Sequence, residues 1–241
     1  MKNNIIKQNN NLYNKCFFTI EGNIGAGKTT FLKKLSQSLN CDVLFEPCEK
    51  WQDINGYNAL EKFYTNIQRW AYSFQLYAFL TRTESILQKL EKPPHNHNDT
   101  FFLAERSIFA DRYVFAKACH QGGFMENLEW NMYTTWFDWT LARQPEEIIP
   151  KGIIYLQTDP HVSYRRILHR GRSEEKDISL EYIKKLYTNH HEWLILKENI
   201  ELRIKDIPIL ILDCNEEFEN NSIIWENMVY LVKSFMTKTL L

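Results

Sequence analysis

Cys16-Phe17-Phe18-Thr19-Ile20-Glu21 runs into Gly22-Asn23-Ile24-Gly25-Ala26-Gly27-Lys28-Thr29, and then into Thr30-Phe31-Leu32-Lys33-Lys34-Leu35. The first six residues are rich in aromatic and β-branched side chains and stop at glycine, which predicts a strand. Residues 28–39 set Phe31, Leu32, Leu35 and Leu39 on one stripe of a helix. A strand, the spacing GxxxxGK[ST] and a helix, in that order, make a phosphate-binding loop. Backbone N–H groups wrap a polyphosphate only where side chains do not intrude, hence Gly22, Gly25 and Gly27, with Asn23, Ile24 and Ala26 between them. The helix N-terminus adds partial positive charge. Lys28 supplies a mobile cation for the outer phosphates, Thr29 a hydroxyl for Mg²⁺, and Thr30 a further donor. The motif points to ATP- or GTP-type chemistry and leaves the acceptor open.

Outward from this loop, strands and helices alternate. Cys41–Phe45 predicts a second strand, ending at Glu46-Pro47. A long helix is expected over 57–90, and the stretch 91–99 breaks it with two prolines and polar residues. Phe101–Ala104 is a third strand, followed by a helix from about 108 that Gln121-Gly122-Gly123 interrupts. Further helices are expected at 126–142, 160–170, 179–200 and 221–238. Strands are expected at Gly152–Gln157 and Ile207–Leu212. The expected fold is α/β, a five-stranded parallel sheet joined by right-handed crossovers and covered by helices on both faces. With no repeat and no internal linker, residues 15–241 read as one domain behind a polar, Asn-rich tail, 1–14.

The chain has 241 residues, 44% of them hydrophobic and 24% charged, with 8 Gly, 7 Pro and a net charge of −1. Such a chain has a core and is neither collagen-like nor disordered. The charge balance gives no drive onto a nucleic acid polymer or an acidic membrane, so a small molecule is the simplest partner. No apolar run approaches the ~18 residues of a membrane helix. The tail has no apolar core of a secretory signal and lacks the Arg and Ser richness of a transit peptide, so a cytoplasmic location is expected, with a mitochondrial one left open. Five scattered cysteines without CxxC spacing argue against a zinc site or a disulfide framework, and for a reducing compartment.

Three features bear on the acceptor. Glu46 follows the second strand, at the sheet edge where α/β ligands bind, and a carboxylate there can take a proton from an attacking hydroxyl. By spacing alone it could equally be a surface acid before a turn. On the long helix, Gln75, Ala78 and Arg82 share one face beside Phe74, with Phe63 and Tyr64 earlier on the same element. A bidentate amide, a small residue and a guanidinium suit the wall of a base pocket, although an ordinary amphipathic helix with a wet Gln75 and Arg82 has the same aromatics. Glu105-Arg106-Ser107 follows the third strand, where a carboxylate can position a metal and Arg106 can hold the acceptor's reacting end. Asp111 and Phe115, four apart on the next helix, are placed to fix Arg82 and to stack on a base.

Arg165, Arg166, Arg170 and Arg172 form a local basic cluster in RRILHRGRSEEK, with Gly171 as a hinge. Alone it reads as a solvated helix paired to Glu174 and Glu175. Beside a phosphate loop it reads better as an Arg-rich lid that closes on donor phosphates. Trp130, Tyr133, Trp136 and Trp139 lie at helical spacings and are expected in the core or a dimer interface. His95, His97, His190 and His191 lack companions at metal-ligand spacing.

In order, GNIGAGKTT, FEPCEKW, RWAYSFQLYAFLTR, LAERSIFADRYVFAK, EWNMYTTWFDW, GIIYLQ, RILHRGRSEEKDISLEYIKKL and LDCNEEF resemble the blocks of the cellular deoxynucleoside kinases over about residues 15–240. The resemblance implies a P-loop kinase fold, a homodimer, and transfer of the γ-phosphate of ATP or another nucleoside triphosphate to a deoxynucleoside 5′-hydroxyl. It implies Glu46 as the general base, with Lys28 and Arg106 acting in the transfer. Thr29 and Glu105 are then placed at Mg²⁺, and Tyr64 and Glu175 at the sugar 3′-hydroxyl. Gln75 reads the base while Trp51, Phe63, Phe74 and Phe115 line the pocket. Arg166, Arg170 and Arg172 match the lid, and Glu217 and Phe218 match the loop against the donor's base. Ala78, Arg82 and Asp111 resemble the pattern of members that accept cytosine and purines. Phe63 departs from the family, whose pocket often carries Met there, and a stiffer ring narrows the pocket. The rival readings are another P-loop kinase, such as a nucleoside monophosphate kinase with a second basic site, and a nonenzymatic ATP-switch module that has no need of Glu46.

Overall fold

The computed structural model describes residues 15–93 and 101–241. The expected tail over 1–14 and the histidines at 95 and 97 lie outside the described residues. In chain order the elements are β1 (Cys16–Gly22), α1 (Lys28–Leu39), β2 (Asp42–Leu44), α2 (Cys48–Gln52), α3 (Ala59–Thr65), α4 (Ile67–Glu91) and β3 (Phe101–Glu105). There follow α5 (Ile108–Ala110), a π-helical segment (Asp111–Ala116), α6 (Lys117–Gln121), α7 (Asn127–Leu141), β4 (Gly152–Gln157) and α8 (Pro160–Arg170). The chain ends with α9 (Leu180–His191), a second π segment (Glu192–Leu196), α10 (Leu202–Lys205), β5 (Ile209–Asp213) and α11 (Ser222–Leu240). Among the described residues, five strands form one sheet in the order β2-β3-β1-β4-β5, every pair parallel.

The near-continuous apolar runs of β1, β3 and β4 follow from burial on both faces. Alternate side chains enter two separate cores. Phe17, Phe102, Ala104, Ile153 and Tyr155 join the larger one, with Phe74, Phe79, Phe109, Phe137 and Leu186 from the helices. Phe18, Ile20, Leu103, Ile154 and Leu156 meet Phe31, Leu32 and Leu35 of α1 and Met228, Val232 and Met236 of α11 on the other face. Phe31 is the hub of that second core, edge-on to Phe218 and Trp225 at 5.8 and 5.5 Å between ring centres.

Local chemistry redraws several expected boundaries. The helix expected over 57–90 is two helices, because Asn66 accepts a hydrogen bond from the N–H of Arg69 and starts α4 afresh. The short α2, after Glu46-Pro47, was not expected. The helix expected over 179–200 ends as α9 at His191 and passes into a π segment. The last strand starts two residues late, at Ile209. Pro208 has no N–H to give the ladder and only accepts, from Ile153, at 2.9 Å. The tryptophans divide: Tyr133 is in the core and Trp130 is half-buried, but Trp136 and Trp139 are about half exposed, at 49% and 50%. Leu128 and Met132 extend their stripe on α7. None of the described helices is long and apolar enough to cross a membrane.

His190 is fully buried, stacked on Tyr155, and its Nδ1–H donates to the Leu186 carbonyl at 2.7 Å. Burial, with Arg106 nearby, pushes its pKa down to about 3. The unfolded imidazole takes up a proton below its ordinary value near 6.5 while the folded one does not, so this group withdraws stability as pH falls from about 6.5 toward 3. Urea unfolding at pH 6.5 and pH 5 is expected to show His190→Gln losing about 1–2 kcal/mol less over that interval than the native chain. Phe31→Ala is expected to cost about 3–5 kcal/mol at either pH, read from the same unfolding curves.

Candidate active site

The strand order reverses at β1, which has β3 on one side and β4 on the other. Ligands of open α/β sheets bind at the carboxyl ends beside such a point. The described residues enclose a cavity of about 380 Å³ there, walled by the loop after β1, α1, the 45–51 turn, α3, α4, the start of the 105–115 segment and the 170–182 region.

The phosphate loop is built as its glycines require. Gly25 has φ of 77°, and a Cβ on it would lie 2.3 Å from the Ser163 carbonyl oxygen. Gly27, at φ 89°, caps α1 and lies over the Phe218 ring. Asn23 is buried and ties the loop to α9 by donating from Nδ2 to the Ile183 carbonyl at 2.9 Å. Lys28 folds back to donate to the Asn23 carbonyl at 2.8 Å. Burial, reinforced by Arg106, lowers the Lys28 pKa to about 7, although Glu105 and Glu46 pull the other way. The Thr29 hydroxyl donates to Glu105 Oε1 at 2.9 Å, which joins α1 to the end of β3.

In the same cavity a charge network surrounds Glu46. Arg82 reaches Glu46 Oε1 at 2.8 Å with Nη2 and Asp111 Oδ2 at 2.8 Å with Nε. Arg106 brings Nε within 3.2 Å of the same Glu46 oxygen and donates from Nη1 to the Gly22 carbonyl at 2.8 Å. Burial works against a charged Glu46, but Arg82, Arg106 and Lys28 together hold its carboxyl well below the usual range. Arg82 is also pressed by burial, and Asp111 and Glu46 overcompensate and raise its pKa.

The remaining wall is aromatic. Phe63 and Phe74 stack at 4.6 Å, and Trp51 meets Phe74 edge-on at 5.7 Å. Trp51 Nε1 donates to the Thr81 hydroxyl at 2.9 Å, so its ring is fixed. Phe115 lies under the Arg106 guanidinium, 4.6 Å from ring centre to carbon. It shares with Asp111 the π-helical segment 111–116, a local widening of the helix that often marks functional sites. Gln75 and Ala78 are buried against the cavity. Burial, then Glu175 and Glu46, raise the Tyr64 pKa, so its hydroxyl stays protonated. Glu175 receives Arg170 at 2.5 Å and Arg172 at 3.5 Å.

The expected site residues gather unevenly. Ile24, Gly25, Gly27, Lys28, Thr29, Thr30, Glu46, Trp51, Phe63, Tyr64, Phe74, Gln75, Ala78, Arg82, Glu105, Arg106, Asp111, Phe115, Arg170, Arg172 and Glu175 line the one cavity. Gly22, Asn23 and Ala26 support the loop from behind. Arg166 points elsewhere: its guanidinium donates to the carbonyls of Cys214, Asn215 and Glu216 at 2.9–3.3 Å. Glu217 accepts from the N–H of Asn220 at 3.0 Å, and Phe218 is buried on Phe31. Lys33, Phe45, Cys48, Leu60 and Tyr182 line the cavity without having been foreseen. Burial, with Glu46 beside it, pushes the Cys48 thiol up to about 12, so it sits there as a neutral group. Its place two residues after Glu46 was the available signal, whereas nothing in the spacing of α9 singles out Tyr182.

Comparison with known proteins bears on the family. The family model described as deoxynucleoside kinase matches residues 18–237. Deoxycytidine kinase 2 of Gallus gallus is 38% identical over 237 residues, covering 91% of this chain and 89% of the relative. Deoxycytidine kinase of Homo sapiens is 36% identical, covering 91% and 90%. The mitochondrial deoxyguanosine kinase of Xenopus laevis is 33% identical, covering 90% and 88%. A family model that spans residues 18–237, and relatives 33–38% identical over about 90% of the chain, show that the chain belongs to the deoxynucleoside kinase family.

Proposed function

We propose that this chain transfers the γ-phosphate of ATP, or another nucleoside triphosphate, to the 5′-hydroxyl of deoxycytidine and purine deoxynucleosides. The observation that carries this reading is the placement of Glu46, kept as a carboxylate by Arg82 and Arg106 in the same cavity as Lys28 and Thr29. In this reading Glu46 accepts the 5′-hydroxyl proton as the oxygen attacks phosphorus, and Arg106 steadies the reacting end. Lys28 and the loop N–H groups hold the donor phosphates. Thr29 and Glu105 offer Mg²⁺ two oxygen ligands 2.9 Å apart, a set that fits an ion completing its shell with water and phosphate. When bound, the ion neutralises phosphate charge as the phosphoryl group moves.

The nucleoside lies between the Phe63–Phe74 wall and Phe115, its base edge toward Gln75 and its 3′-hydroxyl toward Tyr64 and Glu175. Arg82 and Asp111 occupy the edge of the pocket where a thymine methyl has to fit, which favours cytosine and purines. Arg170 and Arg172 serve as the lid beside Glu175, while Arg166 and Glu217 brace the 214–220 loop at the donor's base and Phe218 supports it from below. Each arginine that lines the cavity is ion-paired among the described residues. With Arg170 and Arg172 assigned to the donor's lid, the arginines left for an acceptor phosphate, Arg82 and Arg106, are both held on Glu46, which disfavours a monophosphate kinase. The half-exposed stripe of Leu128, Met132, Trp136 and Trp139 supports a homodimer formed through α7. A cytoplasmic location belongs to this reading, although the relative from Xenopus laevis is named mitochondrial.

Glu46→Gln is expected to lower turnover about 10²–10⁴-fold with the deoxynucleoside dissociation constant little changed, measured by steady-state kinetics and calorimetric titration. A large loss of binding at unchanged turnover contradicts the base role. The double substitution Arg82→Met with Asp111→Ala removes one charge of each sign and keeps Arg106 on Glu46. Competition between thymidine and deoxycytidine is expected to shift toward thymidine by about tenfold or more, equivalent to about 1.4 kcal/mol, even though absolute turnover falls. Continued exclusion of thymidine contradicts the specificity assignment.

A further inference from the structure

Glu21 is an acid in the middle of the sheet. It is fully buried, on the face of β1 that also presents Phe17 and Thr19. One of its carboxylate oxygens, Oε1, accepts two hydrogen bonds of 2.7 Å, from the backbone N–H and from the hydroxyl of Ser107. The other, Oε2, has no hydrogen-bond partner among the described residues. Burial pushes the Glu21 pKa up to about 7 against the pull of Arg106 and the Ser107 bonds. A buried acid of this kind carries a standing cost, yet no step of the proposed transfer uses it.

The turn it holds is strained. Arg106, the residue before Ser107, has φ of 68°, in the left-handed region that side chains other than glycine rarely occupy. Strand β1 grips this turn from three consecutive residues. The Ile20 carbonyl takes the Arg106 N–H at 3.1 Å, Glu21 takes Ser107, and the Gly22 carbonyl takes the Arg106 guanidinium at 2.8 Å. Only the middle grip is made by a side chain of β1. It lies next to the strained φ of the residue whose guanidinium meets Glu46 at 3.2 Å.

We propose that Glu21 is a positioning residue for phosphoryl transfer: its Oε1, by holding Ser107, keeps Arg106 in the left-handed conformation and its guanidinium against Glu46. This rests on the reading of Glu46 and Arg106 given above. In this arrangement the strand that carries the phosphate loop also sets the acceptor half of the site, so the two halves share one rigid reference.

Steady-state kinetics with ATP, Mg²⁺ and deoxycytidine test it. Glu21→Leu removes the acceptor and is expected to lower kcat about 30–100-fold while both KM values stay within about threefold. Glu21→Gln keeps an Oε1 that accepts both Ser107 bonds and is expected to restore kcat to within about threefold of the native chain. The proposal is overturned if Glu21→Leu keeps native kcat, if Glu21→Gln is as slow as Glu21→Leu, or if KM rises as much as kcat falls. Should Glu21→Leu fail to fold, Ser107→Ala removes one of the two donors. It is expected to lower kcat about 5–10-fold at unchanged KM, and an unchanged kcat overturns the proposal. Glu46→Gln, run alongside, separates the two levels. If it retains native turnover, the reading of the base fails, whereas a slow Glu46→Gln beside a fast Glu21→Leu refutes the positioning role alone.

Discussion

A carboxylate partly withdrawn from water keeps its charge best where cations meet it, and Glu46 is met by two. Removing a carboxylate from solvent raises its pKa, and without partners it would take up a proton and lose its power to accept another. Arg82 and Arg106 both reach the same Glu46 oxygen, and Lys28 adds to their field. Buried charges of this kind are costly unless each has its own partner. The network is closed accordingly: Asp111 balances Arg82, the Gly22 carbonyl takes Arg106, and the Asn23 carbonyl takes Lys28.

That network explains why so much of the fold converges on one edge of the sheet. Glu46 comes from just after β2, Arg106 from just after β3, and Lys28 from the start of α1, while Arg82 and Asp111 ride on helices packed across the same face. Parallel strands bring their carboxyl ends to one edge, and the two-sided core of phenylalanines and branched residues makes the sheet a stiff base for them. The aromatic wall is rigid for a related reason. Phe63, Phe74 and Trp51 hold each other by ring contacts, and Thr81 fixes the indole of Trp51.

The parts legible in the chain were those set by local spacing. GNIGAGKT announces its loop because glycines and a lysine at those positions have few other uses. The strands β1 and β4 and the helix α1 show in the apolar runs and the 3.6-residue stripe. Less legible were features decided by a partner distant in sequence. Asn66 splits a helix that apolar periodicity draws as one, and Trp136 and Trp139 belong to an exposed stripe that periodicity cannot tell from a core stripe. Arg166 has the same spacing as Arg170, yet the carbonyls of residues 214–216 capture it while Arg170 faces Glu175. An acid inside an apolar strand was a visible signal at Glu21, but its meaning depends on Ser107, which is 86 residues away.

By itself, the sequence determined the phosphate loop, the alternation of strands and helices, and the residue types that could stand around a nucleoside. Those are properties of neighbours along the chain, where backbone freedom, helix period and charge act over a few residues. Only the tertiary structure decided which way each polar side chain turns: that Arg82 serves Asp111 and Glu46 at once, that Arg166 leaves the cavity, and that β1 grips the turn behind Arg106. Hydrogen bonds and ion pairs are short-ranged and directional, so their partners exist only after the sheet has brought distant segments within about 3 Å of each other.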